Sequence, residues 1–531
     1  MSLGLSRSNK APSLPIFLLL AANIICGLFV FRDYGLSWDE PLFYDYADSL
    51  GYAYSPKEWF SGNFDLENAY GSSGTDHATR GPAYILLTRQ PVYFLELFGI
   101  DSAPAWHLVN FLTFQLGVYF LYRLALHLMK APAAIASAAL FAWQPLLWGH
   151  AFINPKDPPF LVFFLGSVFL GFEMVDKLKD ETAGKGQKLF SVILAAGFLG
   201  IATSIRVLGP LAGLLVFVYA LANLKPRIYL FSNFLIYICT AALTLFITWP
   251  YLWPDPIGRF LEVFRFMSEN PTQLAVLFNG QIYQADELPR RYLPVLLSLT
   301  LTEPIWLLFT SGLIIGIWKQ FFRNRKLTTG HWSLNTTPWL ILSWFLIPFL
   351  YVILRKPPMY DGYRHFLFML PPVFIFAGLG LDNVHDRIKA RWLTALITSL
   401  VLAPGIIGII QLHPYEYAYY NSFTGGTTGA FRTFETDYWL TCYKESMEDF
   451  QTQITEPSTI YIHREAYIAA TYARENVKVL EERGALDQIK SGDYILVNSR
   501  ANEDIRTFKD APIILEIGRG GAVFCVIKRI P

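Results

Sequence analysis

The stretch LPIFLLLAANIICGLFVFRDYGLSWDEP, Leu14 to Pro41, decides how this chain folds. Leu14 to Phe31 carries no charge and comes close to the roughly 20 apolar residues that take a helix across a bilayer. A polar boundary follows at once, with Arg32, Asp33 and the acidic pair Asp39-Glu40. Arg7 and Lys10 ahead of the run give it the look of a signal peptide. No small-x-small cleavage site follows, so the segment reads as a retained first helix.

Similar apolar runs recur at roughly 106–128, 132–149, 159–176, 189–205, 207–223, 229–252, 293–318, 338–354, 366–381 and 392–411. With the first they make about eleven membrane-spanning helices. Composition agrees. Of 531 residues, 53% are hydrophobic and only 16% charged, against about 25% charged in soluble domains. Aromatics reach 16%, which suits belts of Trp and Tyr at helix ends. Lys plus Arg (43) and Asp plus Glu (42) nearly cancel, so no net field points to nucleic acid. The expected architecture is a polytopic α-helical membrane domain over 1–411, with outer loops at about 32–105 and 253–292. Within the first loop, Ala83 to Phe98 reads as an amphipathic surface helix. A small α/β domain over 412–531 closes the chain. There, β-rich runs (Thr459 to His463, Tyr494 to Val497, Pro512 to Ile517, Ala522 to Ile527) alternate with helical stretches near 441–453 and 464–475.

Lys and Arg crowd the cytoplasmic loops of membrane proteins. A cytoplasmic N-terminus puts Arg7, Lys10, Lys130, Lys177, Lys179, Lys185, Lys188, Lys225, Arg227, Lys319, Arg323, Arg325, Lys326, Arg387, Lys389 and Arg391 on that side. The short outer turns then hold only Lys156, Arg206, Arg355, Lys356 and Arg364. An odd number of helices leaves the C-terminal domain on the outer, periplasmic side of an inner (plasma) membrane. Cys442 and Cys525 both fall there and are candidates for a disulfide, although spacing alone does not bring them within bonding reach. Four cysteines give no zinc-type spacing.

Three constellations carry chemistry. Ser37 to Glu40 fits the S-x-x-E capping box, which gives Glu40 the structural task of accepting from the Ser37 N–H. Asp39 then falls in the first helical turn, where the dipole favours its ionised form. Beside Trp38, Phe43 and Tyr44 it is placed to take a proton from a hydroxyl, and capping alone accounts for the pair about equally well. Second, His150, Asn154, Lys156 and Asp157 crowd one outer turn, with Asp157-Pro158 also readable as an ordinary helix start. Third, positive charge stands on the outer side at Arg206, Arg355, Lys356, Arg364 and His365. Arginine is a natural phosphate clamp. Snorkelling to headgroups accounts for Arg355 and Lys356 better than for Arg364 and Arg206. No P-loop, G-x-G-x-x-G, H-E-x-x-H or G-x-S-x-G motif occurs.

Together these segments resemble the GT-C glycosyltransferases, in particular the phospholipid-carrier-dependent branch of protein O-mannosyltransferases and lipid A aminoarabinose transferases. The stretches that carry the resemblance are Trp38-Asp39-Glu40, Asn154-Pro155-Lys156-Asp157, and Tyr363-Arg364-His365-Phe366 with Pro371-Pro372. They continue in His413-Pro414-Tyr415-Glu416-Tyr417 and Asp437-Tyr438-Trp439. The resemblance implies transfer of a sugar from a polyprenyl-phosphate-linked donor to a glycan, lipid or protein acceptor on the outer face. By it, Asp39, with Glu40 beside it, is the catalytic base, and Asp157, Lys156 and His150 form a second acidic site. Arg364, His365, Arg206, Arg355 and Lys356 bind the donor phosphate. A divalent metal is left open, and no other cofactor is implied. The second acidic site departs from the family pattern in reading Asn-Pro-Lys-Asp, and the tail domain does not resemble that of the eukaryotic mannosyltransferases.

Two other classes compete. A lipid or sugar transporter would place ionisable or broken segments at mid-membrane, often within an inverted repeat, and no repeat is visible here. A ligand-binding sensor would leave the charged outer turns without a purpose. The charge asymmetry predicts that reporter fusions after Lys326 and after Pro531 report opposite sides of the membrane. The same side for both would refute the odd number of crossings.

Overall fold

The structure, a computed structural model, describes residues 14–224, 227–269, 273–318, 336–388 and 390–531. Arg7, Lys10, Lys225, Lys319, Arg323, Arg325, Lys326 and Lys389 lie outside the described residues. Each apolar run meets a helix. Six are long and apolar enough to cross a membrane unaided: Ser102–Ala125, Asp157–Lys179, Lys185–Ile205, Phe231–Thr248, Thr337–Arg355 and Arg391–Leu412. Two more runs are bent pairs, Ala131–Ala142 with Pro145–Ile153 at 60° and Tyr292–Thr300 with Pro304–Trp318 at 108°. Leu14–Val30 and Pro210–Asn223 are shorter apolar helices. Among the described residues six to eight spans are therefore secure by length, fewer than the eleven runs suggest. The chain is a multi-pass membrane protein with a helical body and a small C-terminal sheet.

Prolines set the breaks. Pro145 and Pro304 each open the second half of a bent pair, a position where their missing N–H costs nothing. Backbone groups freed at membrane depth need new partners, and at the second bend side chains from elsewhere in the chain supply them. Gln144 Nε2 donates to Thr300 O at 2.9 Å, and Gln144 Oε1 accepts from Thr302 N at 3.3 Å. Asn421 Nδ2, from beyond the last span, donates to Ser298 O and Leu301 O at 2.7 and 2.8 Å. The run at 366–381 differs from expectation for the same reason. Pro371-Pro372 cannot sit inside a helix, so Arg364–Met369 tightens into a 3₁₀ turn and the α-helix runs from Pro371 to Arg387.

Two glycines mark backbone contacts that a side chain would forbid. A Cβ on Gly312 would lie 1.8 Å from Phe376 O, locking Pro304–Trp318 against Pro371–Arg387. One on Gly81 would lie 1.3 Å from Ser204 O, which seats the segment 32–105 on the helix end that carries Arg206.

The helices sort charge by end. Asp157–Lys179 starts at Asp157 and finishes with Lys177 and Lys179. Its neighbour, Lys185–Ile205, begins at Lys185 and finishes against Arg206. Pro371–Arg387 starts beyond Arg364 and finishes at Arg387, and Lys130 pairs with Asp386 at that same end. The segment 32–105 contains the helix Ala83–Glu96, with Leu87, Tyr93 and Phe94 exposed.

A hairpin of β1 (Ala275–Phe278) and β2 (Gln281–Gln284), not foreseen from sequence, lies within the segment 253–292. The C-terminal domain is a five-stranded mixed sheet. Its strands are β3 (Ser458–Ile462), β4 (Val477–Glu481), β5 (Tyr494–Asn498), β6 (Ile513–Arg519) and β7 (Ala522–Arg529), in the order β4-β3-β5-β7-β6. β3 runs parallel to β4 and β5, and β7 runs antiparallel to β5 and β6. Strand β4 was not expected, because two of the five residues in Val-Lys-Val-Leu-Glu are charged. Cys442 and Cys525 form a disulfide, with Cα atoms 5.9 Å apart.

Candidate active site

The acidic pair divides its work. Glu40 is fully buried and its carboxylate is committed: Oε2 accepts from Ser37 N at 2.6 Å, and Oε1 meets His107 Nε2 at 2.9 Å and the Tyr44 hydroxyl. Half of the expected capping box is present. The other half is not, since Ser37 Oγ donates to Ile153 O at 3.0 Å and ties the loop to the neighbouring helix end. Asp39 makes no cap bond. Its Oδ2 accepts from Arg364 Nη1 at 2.8 Å, and the side chain keeps 20% exposure.

Arg364 opens the 3₁₀ turn and is only 6% exposed. Besides Asp39 it reaches Asp157 Oδ2 at 3.5 Å and Asp361 Oδ2 at 3.2 Å. Its guanidinium stacks near the rings of Tyr360 and Trp439, at 5.3 and 4.8 Å. Burial opposes its charge, but Asp39, Asp361 and Asp157 outweigh burial and hold its pKa above the ordinary arginine range. Arg206 pairs with the second oxygen of Asp157. Asp157 is held by Asn154, whose Nδ2 donates to Oδ2 at 3.0 Å and whose Oδ1 accepts from the Asp157 N–H at 2.9 Å. Asn154 thus caps this turn, where the sequence offered Asp157 for that task. His150 lies behind, with Nε2 3.0 Å from the Tyr438 hydroxyl.

Lys156 and His365 flank the cluster. Among the described residues Lys156 makes no ion pair, and its ammonium sits 5.4 Å from the Phe43 ring. Burial, then Arg206 and Arg80, hold its pKa well below the ordinary lysine range. Burial, then Arg364 and Arg206, push His365 well below the ordinary histidine range, so its ring is neutral at pH 7. Arg355 and Lys356 are exposed at the end of Thr337–Arg355 and join none of these bonds. Among the described residues no group of three or more His, Cys, Asp and Glu side chains is placed to hold a metal ion.

Sequence reasoning passed over Asp361, Arg500 and Glu435. Asp361 had a signal, standing in a Tyr-Asp-Gly turn three residues before Arg364. Arg500 had none, since it meets Asp361 across 139 residues of chain.

No family model matches the sequence, and no curated protein matches it. Solved structures do. ArnT from Cupriavidus metallidurans in the apo state aligns over 96% of this chain and 98% of its own, at 12% identity and a TM-score of 0.50. The fold is that of the GT-C glycosyltransferases. The same ArnT bound to undecaprenyl phosphate aligns over 97% of this chain and 98% of its own, at 12% identity and a TM-score of 0.49. The Archaeoglobus fulgidus oligosaccharyltransferase in the apo form aligns over 91% of this chain and 69% of its own, at 10% identity and a TM-score of 0.47.

Within this GT-C fold, Arg364 is the residue on which the cluster closes. Deleting its charge would strand buried carboxylates, at about 3–5 kcal/mol for a broken buried pair, and would confound function with folding. Arg364→Lys is the sharper variant. It keeps the charge but not the planar fork that meets three partners at once. For the sugar transfer that the family resemblance implies, the loss of one charge-assisted hydrogen bond, about 1.5–3 kcal/mol, predicts a rate slowed roughly tenfold or more with folded yield retained. An unaltered rate would remove Arg364 from the site.

Proposed function

We propose that this protein is a glycosyltransferase that moves a sugar from a polyprenyl-phosphate carrier to an acceptor hydroxyl at the outer face of the inner (plasma) membrane. The observation that carries this reading is Arg364 shared between Asp39 and Asp157 at the ends of apolar helices, in a GT-C fold. A donor on a lipid tail needs its reacting carbon held at the membrane boundary. Cations must stand there for the departing phosphate and a base for the incoming hydroxyl. Transport would call for ionisable groups at mid-membrane, whereas these stand at the helix ends.

The chemistry follows from the ion pairs. In the structure an Arg364 N–H occupies Asp39 Oδ2. A carrier phosphate offers the same guanidinium a stronger, two-oxygen acceptor, so donor binding draws Arg364 away and frees Asp39. Asp39 then takes the proton of the acceptor hydroxyl as that oxygen attacks the anomeric carbon. The bond from carbon to phosphate oxygen breaks, and its electron pair leaves with the phosphate toward Arg364 and Arg206. One displacement inverts the anomeric configuration. His365, neutral, donates or accepts a hydrogen bond at the rim, and Arg355 and Lys356 meet lipid headgroups. The outer placement of the site is supported by the lysines at the opposite helix ends and by the Cys442–Cys525 disulfide, which belongs in an oxidising compartment. Glycan, lipid and protein acceptors all fit this chemistry.

The test compares Asp39→Asn with Glu40→Gln for transfer from a purified lipid-linked sugar, with folded yield measured alongside. Loss of the base predicts a rate about 10²–10⁴-fold lower for Asp39→Asn. Glu40→Gln should be milder, because Gln also accepts the Ser37 N–H and Glu40 is committed to structure. Full activity in Asp39→Asn would rule out the base assignment.

A further inference from the structure

The C-terminal domain does more than cover the membrane body. The loops leaving β3 and β5, two parallel neighbours, both turn toward the Asp39 segment. Tyr467 OH donates to Trp38 O at 2.7 Å, and Tyr472 OH accepts from Leu36 N at 2.9 Å. Arg500, two residues past β5, goes deepest. Its side chain is 1% exposed, and Nη1 donates to Asp361 Oδ1 at 2.5 Å and to Tyr438 O at 2.8 Å. Its guanidinium lies 4.8 Å from the Trp38 ring. Arg500 therefore touches both the carboxylate that orients Arg364 and the residue next to Asp39.

We propose that Arg500 is a positioning residue of the site, which by neutralising Asp361 leaves Arg364 available to a carrier phosphate. This rests on the functional reading above only in taking that phosphate as the ligand. The charges carry the argument. Arg206, Arg364 and Arg500 face Asp39, Asp157 and Asp361, so the cluster balances. Glu435 does not substitute for Asp361 as the partner of Arg500. Its Oε1 stands 3.8 Å from Arg500 Nη2, and among the described residues neither atom has a hydrogen-bond partner. Burial pushes the Glu435 carboxyl up to about 7 against the pull of Arg500, so it carries only part of a charge at neutral pH. Without Arg500, Asp361 would face Arg364 alone. The guanidinium would be held more tightly, and the site would present a net negative charge to an incoming anion.

Binding of undecaprenyl phosphate to the purified full-length protein in detergent tests this, with sugar transfer measured in parallel. Arg500→Met should weaken binding about tenfold, at the low end for one partner of a buried charge pair. Arg500→Lys should stay within about threefold. Arg500→Met with Asp361→Asn, which removes both charges, should bind more tightly than Arg500→Met alone. A purely structural role predicts the reverse, because the second change removes further bonds. Binding by Arg500→Met within about twofold of the unaltered protein, or a double variant no tighter than the single one, overturns the proposal. If Arg500→Met does not fold, the double variant decides the matter, and binding more than about tenfold below Arg500→Lys overturns it. Unaltered protein that binds the phosphate but transfers no sugar would instead overturn the functional reading and leave the role of Arg500 standing.

Discussion

Burying an arginine among apolar helices is affordable only when carboxylates surround it, and Arg364 imposes that condition on the whole molecule. Its three carboxylates come from separate places: Asp39 after the first helix, Asp157 at the start of a span, and Asp361 in the turn before Arg364 itself. Each carboxylate carries further oxygen atoms that need partners. Arg206 and Asn154 serve Asp157, while Arg500 and Trp439 serve Asp361. Charges left unpaired in a low dielectric cost several kcal/mol each. These segments therefore assemble together or not at all. Among the described residues Asp39 alone of the three keeps an oxygen without a second cation and some exposure to solvent, and this is the residue to which the chemistry assigns the base.

The irregular segments serve the same end. A continuous helix through 366–381 would carry Arg364 on a regular turn. Pro371-Pro372 forces the 3₁₀ turn that delivers the guanidinium into the cluster instead. The bend at Leu301-Thr302 would expose backbone groups in the membrane, and Gln144 and Asn421 meet them with hydrogen bonds. Asn421 lies beyond the last span, at the start of the C-terminal domain. That domain, through Asn421, Tyr467 and Arg500, is built into the membrane body at its broken places.

The helices were legible in the sequence because a run of about 20 apolar residues has few other uses. The breaks within 132–149 and 293–318 were less so. A proline inside an apolar run marks a bend, but the size of that bend depends on partners elsewhere in the chain. Asp39 and Glu40 could be told apart because a capping spacing gave one of them a structural task. The sequence could not give the His107 and Tyr44 bonds that complete it. Arg364 stood out as a cation at the wrong end of a span. Arg500 did not, since an arginine after a strand of a soluble-looking domain carries no mark of the 139-residue closure that buries it against Asp361. Strand β4 was hidden by its charges, which its edge position allows.

At the centre of the account, a carrier phosphate and Asp39 compete for one guanidinium. An electron cryo-microscopy structure of the full-length protein with undecaprenyl phosphate bound measures this directly. The account predicts a phosphate oxygen within hydrogen-bonding distance of Arg364, about 3 Å, with the Asp39 carboxylate released toward the acceptor side. A phosphate seated elsewhere, with the 2.8 Å contact between Arg364 and Asp39 intact, would contradict it.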